Sequence, residues 1–512
     1  MKIVDSKGNI VKNVYDADSN LSSVSENLNG VDYTTSYTYD SENKPKTTTY
    51  KGNVITNNYD SLGRLQGKVT NTGTAQINTS YEFEAGKEAN TTTNRVSKLI
   101  NNGNGIVYTY DTNGNIETIT QNGKVIKYYY NELNELIRED NQVLNKTITN
   151  SYDNGGNILN KVEYAYTTAT PGTATKTSTY TYGDANWKDK LTSFNDGTEK
   201  PVTYDAIGNP LTYNGYTYTW EEGRQLATMS GNGNTIAYKY NDSGIRTQKT
   251  VNGVTTTYHL VGDKVTFETN GTDNIYYTYD SNDKLVSMNL NGVEYYYVRN
   301  AQEDIIGLNN STGAEVVGYS YDSWGKLIST TGTLASTVGV KNPYRYRGYR
   351  YDTETSLYYL QSRYYNADWG RFINGDNIAV LQLIQGQLLG ANLFAYCVSN
   401  PIMNSDLSGY WSVNIISVRL AAALFNYAIS YAIGGVGLGA IKMYIRRAGV
   451  EAAKRLFTRT LVSELVKWGA RRLAWGGGAA VDIFINYLDI GTAVAKWLDS
   501  KDPRPNNKWL TI

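Results

Sequence analysis

One histidine and one cysteine in 512 residues restrict the side-chain chemistry open to this chain. His259, in TTTYHL, has no Asp, Cys or second His near it in sequence and reads as a structural residue of a strand. Cys397, in NLFAYCVSNP, reads as a small buried residue. A single thiol builds neither a disulfide framework nor a thiolate-rich metal site. Asp482 and Asp489 stand seven apart on one helical face, which suits an acid pair, a metal site or the polar stripe of an amphipathic helix. Residues 411–512 hold no His and no Cys, so the usual nuclease and deaminase constellations and a Cys/His nucleophile are unavailable there. No metal, no cofactor, no small-molecule substrate and no nuclease or metabolic activity are expected.

The elements that must position any reactive group are repeats. The unit Y-x-Y-D-x-x-G-x-[LI] appears as YTYDSENKP at Tyr37, NNYDSLGRL at Asn57, YTYDTNGNI at Tyr108, VTYDAIGNPL at Val202 and YSYDSWGKL at Tyr319. NSYDNGGNIL, YKYNDSGIR and YTYDSNDKLV are further copies, and YYYNELNEL and YTWEEGRQL are worn ones. Tyr at alternate positions puts two rings on one face of a strand, and D-x-x-G supplies turn chemistry. Most spacings fit one β-hairpin per repeat, with second turns marked by Asn-Gly at 122/123, 252/253 and 291/292. No unit can bury its own rings, so hairpins must join edge to edge into a long sheet. The tyrosines read as sheet-packing residues with wet hydroxyl ends.

Composition agrees: 46 Tyr, 48 Gly and only 8 Pro favour many short strands and tight turns. The zero net charge conceals an asymmetry, because residues from Trp411 onward carry +8 and the rest −8. A basic tail on an acidic body points to an anionic partner, either a membrane or a nucleic acid. The N-terminal MKIVDSKGNIVKNVYDADSN has no apolar core of a signal peptide, so either export uses another route or the chain is the distal part of a longer protein.

The repeats lead into YRYRGYRYD (Tyr344 to Asp352), ETSLYYLQSRYYNADWGRFINGD (Glu354 to Asp376) and NLFAYCVSNP with NSDLSG (Asn392 to Gly409). In order and spacing this stretch resembles the RHS-repeat-associated core domain of RHS/YD-repeat polymorphic toxins and of the related C components of Tc toxins. The resemblance implies a mainly β protein: residues 1–342 as a YD/RHS repeat region coiled into a complete or partial shell, 343–409 as the core domain, and 410–512 as a small variable α-helical toxin-like domain. The repeats are fewer than such shells carry, which leaves a partial cocoon, an oligomer or a missing upstream half as options.

The resemblance also implies a reaction. Family members often carry P-x-x-x-x-D-P-x-G-L at the end of the core and are cut just after it by aspartate-dependent autoproteolysis. The matching run here is Pro401-Ile-Met-Asn-Ser-Asp406-Leu407-Ser-Gly409-Tyr410, with Leu407 in place of the family Pro and Tyr410 in place of Leu. The expected cut lies at Gly409 and Tyr410. Asp376 is the expected partner of Asp406, and Arg371 the cation that orients or neutralises one of them. A two-carboxylate mechanism needs one acid protonated and the other ionised, close together and mostly out of water. The alternative is that Asp406 and Gly409 only form the turn that ends the shell.

Beyond Trp411 the pattern changes. Leu420 to Ile441 has no charge over 22 residues, and a bilayer core of ~30 Å takes about 20 residues of helix. Leu420, Phe425, Ile429, Gly435, Gly439 and Ile441 are the expected insertion residues, with Gly435 and Gly439 as a small-xxx-small face. Lys454, Arg455, Arg459, Lys467, Arg471 and Arg472 form a basic face suited to a membrane surface. The expected function is therefore a shell that carries a pore-forming or depolarising effector for bacterial competition. The expected partners are a target-cell membrane, a cognate immunity protein and an upstream shell or export partner. The protein would be secreted or at the cell surface with its tail membrane-associated. Two other readings stay open: a surface structural or adhesive repeat protein with an anchoring tail, or a helical tail that binds a protein or nucleic-acid target.

Overall fold

The computed structural model describes residues 2–4, 10–376 apart from 19, 29 and 30, 392–409, and in the tail 415–417, 425, 429, 438–467, 481, 490–499 and 509–511. The repeat region forms two large antiparallel sheets. Among the described residues eighteen strands, from Lys2–Val4 to Glu199–Pro201, make the first, and fourteen, from Thr203–Tyr204 to Leu327–Thr331, the second. Each strand pairs with its neighbours in sequence, so both sheets are meanders, parted at Val202 and not closed.

The turn chemistry repeats from hairpin to hairpin. At Asp60 the side-chain Oδ1 accepts the N–H groups of Leu62 at 3.0 Å and Arg64 at 2.9 Å, and Gly63 takes a φ of +76°. Asp111, Asp153, Asp205, Asp280 and Asp322 bond in the same way. Asn131 and Asn241 substitute an amide oxygen with the same reach, which explains how copies without the Asp still turn. Where the glycine is lost, Asn43, Asn134, Asp283 and Glu303 stand at the positive φ in its place.

Each such turn carries a β-bulge that shifts the register by one residue, as between Asn58 and Tyr59. The tyrosine at the bulge reaches back to the preceding hairpin. Tyr59, Tyr110, Tyr130, Tyr240 and Tyr279 each donate a hydroxyl hydrogen bond to a backbone carbonyl 14 residues earlier, at 2.7 to 3.0 Å. In worn copies the Trp220 indole and the Arg299 guanidinium take over the task, binding the carbonyls of Pro210 and Leu285. These hydroxyls are therefore not wet ends; they tie successive hairpins together. Because a buried carbonyl left without its donor forfeits about 1 kcal/mol, Tyr130→Phe is expected to lower unfolding free energy by about that amount in a urea titration.

The first tyrosine of the unit turns the other way, into the protein: Tyr108, Tyr128, Tyr218, Tyr238, Tyr277 and Tyr319 are all buried. The two sheets meet through other side chains. Tyr33 stacks on Tyr276 with ring centroids 4.2 Å apart, Tyr296 donates to Asn53 Oδ1 at 2.7 Å, and His259 Nε2 lies 3.3 Å from Glu26 Oε2.

Residues 350–372 add a four-stranded sheet, Arg350–Asp352, Leu357–Tyr359, Tyr364–Asn366 and Arg371–Phe372. Its Trp369 is 2% exposed and lies against Phe194 of the first sheet at 4.5 Å and Tyr213 of the second at 4.2 Å. One indole thus bridges both sheets.

In the tail, helices α1 (Leu438–Ala448), α2 (Val450–Lys467) and α3 (Ile490–Asp499) accompany a strand pair, Ile415–Ser417 with Trp509–Thr511, which the all-helical expectation did not include. That pair is separate from the hairpin sheets. Of the expected insertion residues, Leu420 and Gly435 lie outside the described residues, and Gly439 and Ile441 fall within α1. Phe425 and Ile429 are helical and fully buried in protein. Among the described residues no helix is long and apolar enough to cross a membrane.

Candidate active site

The stretch from Asp406 to Gly409 is held by backbone and side-chain hydrogen bonds from Ser362 and Arg363. Gln361 turns the chain with a φ of +64°, and the residues after it, Ser362 and Arg363, face the outgoing segment. Ser362 donates both its N–H (3.1 Å) and its hydroxyl (2.8 Å) to the carbonyl of Ser408. Arg363 donates from Nε to the carbonyl of Gly409. Gly409 has a φ of +72°, and a Cβ there would lie 2.6 Å from both Leu360 O and Ser362 Oγ, so only glycine fits.

Arg363 also joins the two expected carboxylates. Its Nη2 lies 3.1 Å from Asp376 Oδ2 and 3.2 Å from Asp406 Oδ2, and all three side chains are about 95% buried or more. Nη1 donates to Leu393 O at 3.0 Å, the carbonyl that also accepts the N–H of Asp376 at 2.9 Å, and the guanidinium plane lies 3.5 Å from the centroid of Phe372. Two acids and one cation thus share a site closed to water on the ring side.

Burial pushes the Asp406 carboxyl up; the Arg363 cation opposes this, the nearby Asp376 adds to it, and the result is about 6. Its Oδ1 accepts the N–H groups of Gly409 at 2.8 Å and Ser408 at 3.3 Å. This is turn bonding related to that of the repeats, where the acceptor serves residues two and four ahead. The alternative of a shell-ending turn is therefore present in the geometry; what this turn adds is a second buried carboxylate, Asp376, on the same guanidinium that holds the Gly409 carbonyl.

Further residues fix the segment from behind. Tyr349 accepts the N–H of Asp406 at 2.7 Å and is bonded to Tyr396 at 3.0 Å. Arg347 donates to the carbonyls of Pro401 and Ile402, while its own N–H is held by Asp304 Oδ1 at 3.0 Å. The YRYRGYRYD motif is therefore the clamp on the run that leads to Asp406.

Of the residues expected from sequence, Asp376 and Asp406 meet, with Gly409 beside them. Arg371 does not join them: it donates to the Tyr182 hydroxyl at 2.7 Å and the Asp189 carbonyl at 2.6 Å. Tyr410, Arg471, Arg472, Asp482 and Asp489 lie outside the described residues. Lys454, Arg455, Arg459 and Lys467 all fall on α2. The cation that meets the pair is Arg363, with Ser362 and Tyr349 as positioning groups, none of them singled out by sequence. Arg224 is a second cation near the site, bonded to Gly375 O; burial lowers its pKa and the Asp376 charge opposes that.

No family model matches the chain. Over 300 residues it is 35% identical to the tRNA3(Ser)-specific nuclease WapA of Bacillus spizizenii, a match that covers 57% of this chain and 12% of that protein. The tRNA nuclease WapA of Bacillus subtilis matches at the same identity and coverage. The chain thus spans about one eighth of the length of these relatives. Among solved structures, the TcdB2-TccC3-Cdc42 complex superposes on 78% of this chain and 24% of its own chain, with a TM-score of 0.58 at 18% identity. The TcdB2-TccC3 complex does so with a TM-score of 0.53 at 17% identity. The fold is that of the Tc toxin shell.

These likenesses correct the expected function. The curated relatives carry the names of tRNA nucleases, and the described tail offers no membrane-crossing helix. A pore-forming or depolarising tail, and a target membrane as its partner, are therefore set aside. The physical reason for the error is that an apolar run suits the interior of a protein as well as that of a bilayer, and Phe425 and Ile429 are buried in protein.

Proposed function

We propose that this chain is the processing and effector end of an RHS-type toxin, whose shell cuts itself behind Gly409 and whose basic tail acts on RNA. The observation that carries the first half is the bridge of Arg363 between Asp376 and Asp406 while it polarises the Gly409 carbonyl. A water oxygen bonds to that carbonyl carbon as the C–N bond to Tyr410 breaks. Asp376 accepts a proton from the water, and Asp406, neutral below about pH 6, gives one to the departing Tyr410 nitrogen. Arg363 stabilises the negative charge that develops on the oxygen, in a site where burial strengthens its effect. The products are a carboxylate on Gly409 and a free amine on Tyr410.

The names of the relatives and the +8 charge of residues 411–512 support RNA as the target. A tail without histidine leaves Asp, Glu, Lys, Arg and Tyr for proton transfer, so the chemistry differs from that of histidine-based ribonucleases. A cognate immunity protein would protect the producer. The test is incubation of the processed protein with total tRNA, read on a denaturing gel. Discrete tRNA fragments are expected; intact tRNA beside fully processed protein would refute the RNA half.

A further inference from the structure

The hairpin of α1 and α2 carries a concentration of positive charge that the self-cleavage chemistry does not use. Residues 438–467 contain seven Lys and Arg against two Glu. Helix α2 packs by one stripe: Ala453, Phe457 and Leu461 are fully buried, and Phe457 meets Tyr444 of α1 at 6.1 Å. Arg455 and Arg459 stand one turn apart on the opposite side of α2, exposed. Arg446 and Arg447, also exposed, end α1 just before Gly449, whose φ of +85° reverses the chain. Among the described residues the ion pair of this hairpin is Lys454 with Glu451 at 3.4 Å, so it leaves those four guanidinium groups without a carboxylate partner.

A solvated helix face gains from alternating signs at i,i+4, whereas Arg455 and Arg459 repel each other at that spacing. The helix dipole accounts for cations in the last turn of α1 but not for two in the middle of α2. Guanidinium forks match phosphate oxygens in pairs, which an ammonium cannot do. We propose that Arg446, Arg447, Arg455 and Arg459 form the surface by which the tail grips the sugar-phosphate backbone of a structured RNA. The inference rests on the RNA-directed reading above and names the surface that reading lacked.

The experiment is fluorescence anisotropy of labelled unfractionated tRNA with the full processed chain between 50 and 200 mM salt. Wild type is expected to bind with a steep salt dependence. The four-fold Arg→Gln variant is expected to lose about 3 from the slope of log affinity against log salt, since each phosphate contact contributes roughly 0.7 to 0.9. Its affinity at 50 mM salt should fall at least tenfold with helix content by circular dichroism unchanged. The four-fold Arg→Lys variant keeps the charge and should keep the slope. If the Gln variant binds and cleaves tRNA as wild type does, the surface is wrong while the RNA reading stands. If wild type neither binds nor cleaves tRNA, or binds anionic vesicles instead, both fall.

Discussion

Purified full-length protein is expected to run as two pieces after denaturation, and Asp406→Asn as one. Asparagine keeps the size of the side chain and the Oδ1 that accepts the Gly409 and Ser408 amides, so the segment should hold its shape. What it loses is the proton that Asp406 gives to the leaving nitrogen, and removal of a positioned acid or base costs 10² to 10⁴ in rate, or roughly 3 to 5 kcal/mol of barrier. Intact mass should place the new C-terminus at Gly409. A wild type of single full mass after prolonged incubation would remove the reaction from consideration and leave the shell-ending turn.

The pH dependence follows from the same group. Asp406 is held at about 6 by burial first, so in the folded protein it is protonated in mildly acidic solution. Processing should fall about tenfold per unit above pH 6. Its effect on stability has the sign of a raised carboxyl: the contribution is complete below the unfolded value near 4 and is lost as pH rises through 6. That contribution is on the order of 3 kcal/mol. Thermal unfolding of wild type scanned before it is cut should therefore show a decline between pH 4 and 6 that the Asp406→Asn variant lacks.

The hairpins could be read from sequence because their information is local. An Asp, a turn and a residue at positive φ lie within four positions of one another, and alternation over five residues decides which ring is buried. The tie from Tyr130 to the Ile116 carbonyl was missed because it depends on the bulge, which only pairing reveals. Arg363 was missed for a similar reason. It stands 43 residues before Asp406 and 13 before Asp376, at no motif spacing, whereas Arg371 looked closer in sequence and turned out to face Tyr182. In the tail, hydropathy alone could not separate burial in protein from burial in lipid.

The largest stability effect is expected at Asp352, in the same clamp motif that leads to the processing site. Burial alone would raise its carboxyl, but Arg246 and then Lys249 outweigh that and hold it well below the usual carboxylate range. Arg246 donates from Nη1 at 2.6 Å and from Nη2 at 3.0 Å, a paired arrangement inside the protein, and its guanidinium also lies 4.3 Å from the Tyr359 ring centroid. Lys249 adds a bond at 3.0 Å and is itself shared with Glu354. Asp352→Ala leaves a guanidinium that is 2% exposed without its counter-charge, and such a removal costs about 3 to 5 kcal/mol. The urea midpoint should fall by about 1 M or more if the slope is about 3 kcal/mol per M. The pair itself is a different matter from its broken half. Replacing both partners, Arg246→Met with Asp352→Leu, removes the charge and the penalty together and should recover most of the loss. An Asp352→Ala protein that unfolds where wild type does would mean that the second sheet and the four-stranded sheet do not depend on this contact. A double variant no better than the single one would mean that the ring contacts of Arg246, and not its charge, bind them.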